Sequence, residues 1–261
     1  MARFCPLFSG SKGNSTYIGC SGAGILIDAG VSCKAILSTL SARDIRPEEI
    51  GALLVTHEHI DHIAGLHAVA AKLHLPVYAS GGTLAALEGL GKLRGLEVHE
   101  LGANPLEIGG MTVSRFPTPH DCADSSGFVV QSPDGRRMAV ATDMGCLTDE
   151  IRQALLGCDL VMIESNHDVM MLENGTYPYP LKRRILSDTG HLSNARCADF
   201  LPELVAAGTT RLVLAHLSRE NNHPSVALET ARSALTAGGF RETTDYLLSV
   251  APPSGGKAIL L

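Results

Sequence analysis

The sequence predicts one α/β domain with two β-sheets and helices outside them. Short apolar runs of strand length alternate with helical stretches along the whole chain, in two similar halves. Polar side chains of metal-binding types follow the predicted strands repeatedly, at 57–62, 120, 143, 167 and 216. Long linkers and low-complexity tracts are absent, so we expect a single domain spanning residues 1–261.

The individual elements follow from hydrophobic periodicity and from the glycines, prolines and capping residues at their ends. Strands are predicted at 3–8, 15–20, 24–30 (ending in a turn), 52–55, 76–79, 96–100, 105–108, 111–116, 126–131, 137–142, 159–163, 211–214, 245–250 and 257–261. Helices are predicted at 33–41, from 62 to about 73, and at 81–89, 148–156, 170–173, 181–187 and 224–237. A further amphipathic helix begins after an N-cap at Ser193 or Asn194, and Pro224 opens the last one.

The most specific motif follows the apolar run 52–55. His57 and His59 alternate by two, so their side chains point the same way in extended chain. Asp61 and His62 come at the turn into the next helix. Three imidazoles and a carboxylate within six residues suit a borderline divalent ion such as zinc or manganese. The alternative is a His-rich polar loop that binds no metal.

Polar residues at other strand ends allow two interpretations each. His120 follows a strand and two prolines, where we expect a further ligand. Asp143 could bridge two ions or cap a helix, and Asp28 could support a metal-binding histidine or cap the helix after it. The loop at 9–15 could meet phosphate through its backbone amides, its hydroxyls and Lys12, or it could be an ordinary hairpin turn.

Composition narrows the class of protein. A hydrophobic content of 45% and a mean hydropathy of +0.14 indicate a globular protein. The net charge of −6 argues against nucleic-acid binding by the whole surface, although it leaves room for a local basic patch. The chain contains no tryptophan and only 4% aromatic residues, which argues against an extensive platform for base stacking.

Seven scattered cysteines without a C-x-x-C pattern indicate reduced thiols, which predicts a cytoplasmic location. The sequence shows neither a signal-peptide pattern nor an apolar run of about 18 residues, so we expect no membrane partner.

The strand-end motifs resemble those of the metallo-β-lactamase superfamily. Its H-x-H-x-D-H signature is similar to His57-x-His59-x-Asp61-His62, and the later ligands of the superfamily are similar to His120, Asp143 and His216, in the same order. The resemblance implies a four-layer αββα sandwich with the site at one edge.

Within that superfamily the chain looks most like the YycJ/WalJ-type branch, which is similar to ribonuclease Z. The matching stretches are 9–15, 164–168, 190–194 and 215–218. Only 72 residues separate Asp143 from His216, too few for the extra β-CASP domain of other branches. Only 57 separate His62 from His120, which leaves little room for the tRNA-clamping arm of ribonuclease Z.

The resemblance also implies a cofactor and a set of roles. It implies two divalent ions, zinc or manganese, with iron as a further option. The implied metal ligands are His57, His59 and His120 for one ion, Asp61, His62 and His216 for the second, and Asp143 as the bridge. Asp61 and His191 are the implied catalytic residues, since Asp61 would orient the attacking hydroxide and His191 would protonate the leaving 3′ oxygen. The predicted substrate-binding residues are Ser9, Lys12, Asn14, His167, Ser218 and Asn222. For His167, contact with the second ion is the alternative to contact with phosphate.

The implied activity is 5′→3′ exonuclease action on DNA, with a role in DNA repair. The implied partner is therefore nucleic acid, DNA rather than RNA. An RNA-processing ribonuclease is the nearest alternative. A thioester hydrolase similar to glyoxalase II and a non-catalytic, metal-loaded signalling partner are the others. The motif around His191 and the Ser-Gly-Ser loop favour phosphodiesters over thioesters.

Overall fold

The structure, a computed structural model, describes all residues from Met1 to Leu261. The strands are β1 (Ala2–Phe8), β2 (Ser15–Cys20), β3 (Ala23–Ile27), β4 (Ile50–Leu54), β5 (Val77–Ala79), β6 (Val98–Glu100), β7 (Leu106–Ile108), β8 (Met111–Pro117), β9 (Ser126–Gln131), β10 (Arg137–Ala141), β11 (Leu160–Glu164), β12 (Arg211–Ala215), β13 (Leu247–Val250) and β14 (Ile259–Leu260). The helices are α1 (Cys33–Ser41), α2 (Ile60–Ile63), α3 (Leu66–Leu73), α4 (Gly81–Gly89), α5 (Asp149–Leu155), α6 (Val169–Asn174), α7 (Tyr179–Ile185), α8 (Asn194–Ala206) and α9 (Pro224–Ala237).

In the first sheet the histidine-rich motif follows a central strand, β4. Its order is β14-β1-β2-β3-β4-β5-β6, antiparallel from β14 to β3 and parallel from β3 to β6. Parallel β3 and β4 are in register, with Ile27 opposite Leu54, so they end at the same edge. The residues just after them, Asp28 and 56–62, therefore come together at that edge.

The second sheet has the order β13-β12-β11-β10-β9-β8-β7. Strands β10 to β13 are parallel, and β7 and β8 form an antiparallel hairpin. Ala141 pairs with Ile163 and Glu164 pairs with Ala215, so the carboxyl ends of β10, β11 and β12 are level. Polar residues at these three ends consequently share one edge of the sheet.

The chain forms two compact units. Unit 1 comprises Met1–Arg115, Cys122–Arg136 and Pro252–Leu261, and unit 2 comprises Phe116–Asp121 and Arg137–Ala251. Unit 1 is built on a core in which side chains of β3, β4, α1 and α3 pack together. In unit 2 the apolar face of α8 is buried, with Phe200, Leu201 and Leu204 at 0% exposure. One domain over 1–261 stays a prediction.

Most predicted elements are confirmed within a few residues, but the helix after the motif differs. It is two helices, α2 and α3, and the first begins at Ile60, so Asp61 and His62 are helical. At Gly65 the backbone makes close tertiary contacts in place of the helical hydrogen bond. A Cβ at Gly65 would lie 2.0 Å from the carbonyl oxygen of Val31, and the Gly65 amide donates to the carbonyl of Ala29 at 2.8 Å. Across the whole chain, the helices lack the combination of length and apolarity that crossing a bilayer requires.

Candidate metal centre

Unit 1 gathers the four residues of the predicted motif at the end of β4. The ring of His57 lies 4.6 Å from that of His59 and 4.2 Å from that of His62, centroid to centroid. The carboxylate of Asp61 lies 3.7 Å from Nε2 of His62. His57 and His62 are fully buried, whereas His59 and Asp61 are half-buried. A strand end followed at once by a short helix thus concentrates four donors.

Asp28 fixes the orientation of His62. Its Oδ2 lies 2.7 Å from Nδ1 of His62, and its Oδ1 accepts the backbone amide of Thr56 at 2.8 Å. Because a carboxylate only accepts, Nδ1 of His62 carries the proton and Nε2 is the nitrogen suited to a metal. Ser32, not Asp28, caps α1. Of the two roles considered for Asp28, the helix cap is wrong, and Asp28 instead orients His62, whose role as a metal ligand stays a prediction.

The 9–15 loop lies against the same motif. Asn14 is buried, and its backbone amide donates to the Asp61 carbonyl at 2.8 Å. Its side-chain nitrogen lies 3.0 Å from Nε2 of His62, and its Oδ1 accepts the Gly10 amide at 2.9 Å. Ser9 is buried and Lys12 is exposed. Asn14 thus braces the motif, and phosphate binding by Ser9, Lys12 and Asn14 stays a prediction.

Unit 2 carries a second cluster at the level ends of three parallel strands. Asp143 follows β10, Glu164 ends β11, His216 follows β12, and His191 precedes α8. One ligand atom from each of these four lies within 4.8 Å of the others. Asp143, Glu164 and His216 are buried to 2% exposure or less. The cluster is therefore able to hold a metal ion.

Glu164 is the centre of this cluster. Its Oε1 lies 2.7 Å from Nδ1 of His191 and 3.1 Å from Nδ1 of His216, while Oε2 accepts the backbone amides of Met144 and Leu192. Burial raises the pKa of Glu164, but the charge of His191 and the hydrogen bonds from both imidazoles outweigh burial and hold it below its usual range. Glu164 is thus ionised, and it keeps both Nδ1 atoms protonated.

His120 is held by a backbone carbonyl. Its Nδ1 donates to the Gly190 oxygen at 3.1 Å, and its Nε2 lies 3.9 Å from Oδ1 of Asp143. Nε2 of His216 lies 3.6 Å from the same Asp143 oxygen. Two imidazoles in unit 2 therefore turn Nε2 toward Asp143, with Nδ1 occupied elsewhere.

The donor chemistry of both clusters fits divalent metal ions. His62, His120 and His216 each have Nδ1 committed to a carboxylate or a carbonyl, which is the usual support of metal-binding histidines. Imidazole nitrogens and carboxylate oxygens without thiolate suit zinc, manganese or iron. Each unit carries its own set of such donors.

The remaining predicted residues of unit 2 lie near the cluster. Asn166 donates to the His216 carbonyl at 2.8 Å. Asn222 is buried, and its Nδ2 donates to the carbonyls of Ser165 and Asn166, both at 2.9 Å. The Ser218 amide donates to the Asn166 carbonyl at 2.7 Å. These bonds brace the loops after β11 and β12, and substrate binding by Ser218 and Asn222 stays a prediction.

Among the predicted substrate-binding residues, His167 is distinguished by a buried ring without hydrogen-bond partners. It is 1% exposed, and neither ring nitrogen has a hydrogen-bond partner within the protein. Burial lowers the pKa of His167 to about 4, so the ring is neutral at pH 7. A buried donor without a partner is costly, which makes a ligand-binding role a reasonable prediction for His167.

Sequence reasoning missed two supporting groups. Glu164 appeared only as part of a polar stretch, although a carboxylate at the end of the apolar run 160–163 is itself a signal of buried function. The Gly190 carbonyl that holds His120 lies 70 positions away, and sequence offers no signal for it.

Comparisons with known proteins agree with the geometry. Residues 24–217 match the model of the beta-lactamase superfamily domain. The chain is 36% identical to Exodeoxyribonuclease YycJ of Bacillus anthracis, over 91% of this chain and 90% of that protein. It is 36% identical to Exodeoxyribonuclease WalJ of Streptococcus pneumoniae, over 94% and 92%. Ribonuclease Z of Bradyrhizobium diazoefficiens is 27% identical, over 81% and 86%.

Solved structures support the fold. The metallo-beta-lactamase fold protein YhfI from Bacillus subtilis superposes with a TM-score of 0.74 over 100% of both chains, at 16% identity. This likeness and the family match confirm the predicted fold class. The chain therefore belongs to the metallo-β-lactamase superfamily of hydrolases, in the YycJ/WalJ branch that its motifs predicted.

Proposed function

We propose that the protein is a cytoplasmic, metal-dependent phosphodiesterase that degrades DNA from its 5′ ends. Relatives named exodeoxyribonucleases, 36% identical over most of the chain, support a nuclease. The observation that carries the chemistry is the 2.7 Å contact between Glu164 and His191 beside Asp143 and His216. A carboxylate that holds an imidazole in this way prepares it to donate a proton.

The metal ligands in this proposal are those of the sequence resemblance. His57, His59 and His120 would hold one ion, Asp61, His62 and His216 would hold the second, and Asp143 would be shared between them. When bound, the two cations supply an activated water and neutralise charge on the phosphate.

The protein's own groups perform the remaining steps. Asp61 orients the attacking water and accepts its proton. Nε2 of His191 donates a proton to the leaving 3′ oxygen, and Glu164 stabilises the charged ring through Nδ1. His167 donates its ring N–H to a phosphate oxygen of the substrate.

The positioned acid favours phosphodiesters over thioesters. A thiol has a pKa of about 8.5, so a thiolate leaves readily without a proton. An alkoxide is a far poorer leaving group and needs an acid at the moment of bond cleavage. The contact of Glu164 with His191 would add little to a hydrolase that is similar to glyoxalase II.

The acid role can be tested by varying the leaving group. We expect His191→Ala to slow cleavage of an oligodeoxynucleotide by about 10²-fold or more. The same variant should lose much less on thymidine 5′-(p-nitrophenyl phosphate), because nitrophenolate leaves without a proton. Glu164→Gln should show the same pattern in weaker form, and exposed His99→Ala is the control. Equal losses on both substrates would contradict the assignment of His191 as the acid.

The direction of digestion and the preference for DNA or RNA need a second experiment. Internally labelled DNA and RNA of one sequence, blocked at the 5′ or the 3′ end by phosphorothioates, would be digested by the metal-loaded protein. We expect faster loss of DNA, stopped by the 5′ block alone. Faster loss of RNA would support the ribonuclease alternative. Turnover of a glutathione thioester instead would support the thioester hydrolase, and binding without turnover at any metal loading would support the signalling partner.

A further inference from the structure

The segment between Glu164 and His191 carries an unusual surface. We define it as the α6–α7 segment, residues 168–187, and it lies within unit 2. Ten large hydrophobic side chains of the protein are exposed, and four of them belong to this segment. They are Met170 at 64%, Met171 at 37%, Tyr179 at 70% and Leu186 at 37%. Four exposed apolar side chains within one short segment make it a candidate binding surface.

Three consecutive cations accompany these side chains. Lys182, Arg183 and Arg184 form the last turn of α7, in a chain whose net charge is −6. Arg183 is exposed and makes no ion pair. A run of cations beside an exposed aromatic ring matches the chemistry of a nucleic-acid strand, whose phosphates pair with arginine and whose bases stack on rings.

The segment is held as one piece. Nζ of Lys182 donates to the carbonyls of Glu173 and Gly175, at 2.8 and 2.7 Å, which ties α7 to the end of α6. Asp168 caps α6 through the amide of Met171. Lys182 is thus used internally, while Tyr179 and Arg183 remain available on a fixed backbone.

The segment is also anchored beside a predicted metal ligand. Nη2 of Arg184 donates to Oδ1 of Asp121 at 2.8 Å, and Asp121 follows His120 directly. The same end of the segment leads within four residues to His191. The surface is therefore continuous along the chain with the groups that act on the phosphate.

We propose that the α6–α7 segment is the face on which single-stranded DNA lies as it enters the catalytic site. Tyr179 stacks on a base, and Arg183 pairs with a phosphate of the same strand. This inference rests on the proposed nuclease function. It requires one aromatic contact, so the low aromatic content of the chain does not oppose it.

The test uses the metal-loaded protein and a phosphorothioate-linked oligodeoxynucleotide, which resists cleavage. We expect Tyr179→Ala to raise the Kd about tenfold, since this is the scale of one base stack. Tyr179→Phe keeps the ring and should bind like the wild type. Arg183→Ala should lower the slope of log K against log salt by about 0.7, the value for one phosphate of a single strand. A structural role alone would not change that slope.

Two variants of the same unit serve as controls. Arg241→Ala removes an exposed cation, and Leu247→Ala removes an apolar side chain that is 43% exposed. Both should bind the oligonucleotide like the wild type. Thermal unfolding of every variant checks that the fold is kept.

The inference and the proposed function fail in different ways. If Tyr179→Ala and Arg183→Ala bind the oligonucleotide with wild-type affinity and salt slope, and DNA is still degraded, the inference alone is overturned. A wild-type protein that degrades no nucleic acid at any metal loading would overturn the proposed function. The expected result in cleavage assays is a roughly tenfold fall in the ratio of turnover on DNA to turnover on bis(p-nitrophenyl) phosphate for Tyr179→Ala.

Discussion

At the scale of single residues, the candidate metal centre is marked by its backbone. Asp28, Asp143 and His216 have φ values of 61°, 59° and 55°, a left-handed conformation that non-glycine residues seldom adopt. Each follows a strand directly or after one residue. The conformation turns the chain immediately after the strand and keeps the side chain at the edge of the sheet. Such strain, on the order of 1 kcal/mol each, is typical of functional sites.

His167 gives a pH prediction at this scale. Its folded pKa of about 4 lies below the unfolded value of about 6.5, so the unfolded chain binds this proton first as pH falls. Above about pH 6.5, His167 therefore does not change the free energy of unfolding. As the pH falls from there toward 4, His167 lowers that free energy by an amount on the order of 3 kcal/mol. We expect His167→Gln to show a shallower loss over this window, measured by urea unfolding.

The control for His167 is His67→Gln, which removes an imidazole at an exposed position. Its unfolding curves should depend on pH as the wild type does. A His167→Gln variant whose stability falls as steeply as that of the wild type between pH 6.5 and 4 would contradict the assignment of a buried, neutral ring.

At the scale of elements, the site depends on close approach between backbones. Gly30 follows β3, its amide donates to the Asn14 carbonyl at 2.8 Å, and a Cβ there would lie 1.7 Å from the Asp61 carbonyl oxygen. The loops that surround the motif therefore touch main chain to main chain. A side chain of any size at this position must displace Asp61.

We expect Gly30→Ala to destabilise unit 1 by about 3 kcal/mol, in the upper range for overpacking, and to weaken metal binding because Asp61 moves. Urea unfolding and metal titration would measure both effects. Gly89→Ala is the matched control, because a Cβ at this helical position meets nothing within 4 Å. The control should be stabilised by about 0.5–1 kcal/mol. Equal behaviour of the two variants would contradict the steric argument.

At the scale of the whole molecule, bound divalent cations would offset part of the negative charge of the chain. The net charge of −6 includes buried carboxylates such as Asp143 and Glu164, and divalent cations would compensate them. Ligand binding to the folded state alone stabilises it by about 2.7 kcal/mol at 100 times the Kd. The ions should therefore contribute to stability as well as to chemistry.

We expect protein stripped of metal by a chelator to regain stability on addition of zinc or manganese, with an increase in Tm of about 5 °C or more. Elemental analysis should give two ions per chain for the wild type and fewer for Asp143→Ala. Asp149→Ala, on the first turn of α5, is the control with the same loss of charge. An unchanged Tm in the wild type, together with one ion or none per chain, would contradict the dinuclear proposal.

The sequence by itself determined the class of fold, nearly all of its elements and the local cluster of candidate ligands. Periodicity is a local property, and the spacing of His57, His59, Asp61 and His62 needs only a strand end and a turn to bring them together. The same holds for the positions of His120, Asp143 and His216 after strands. These local features do not depend on the order of the strands in the sheets.

Only the tertiary structure decided which groups support those candidate ligands. Glu164 meets His191 and His216 across 27 and 52 positions, and Gly190 meets His120 across 70. At the break, the Gly65 amide likewise donates to the Ala29 carbonyl, a contact that periodicity in 63–73 does not reveal. The physical reason is that strand order and the level ends of β10, β11 and β12 set these contacts, and strand order is a property of non-local pairing.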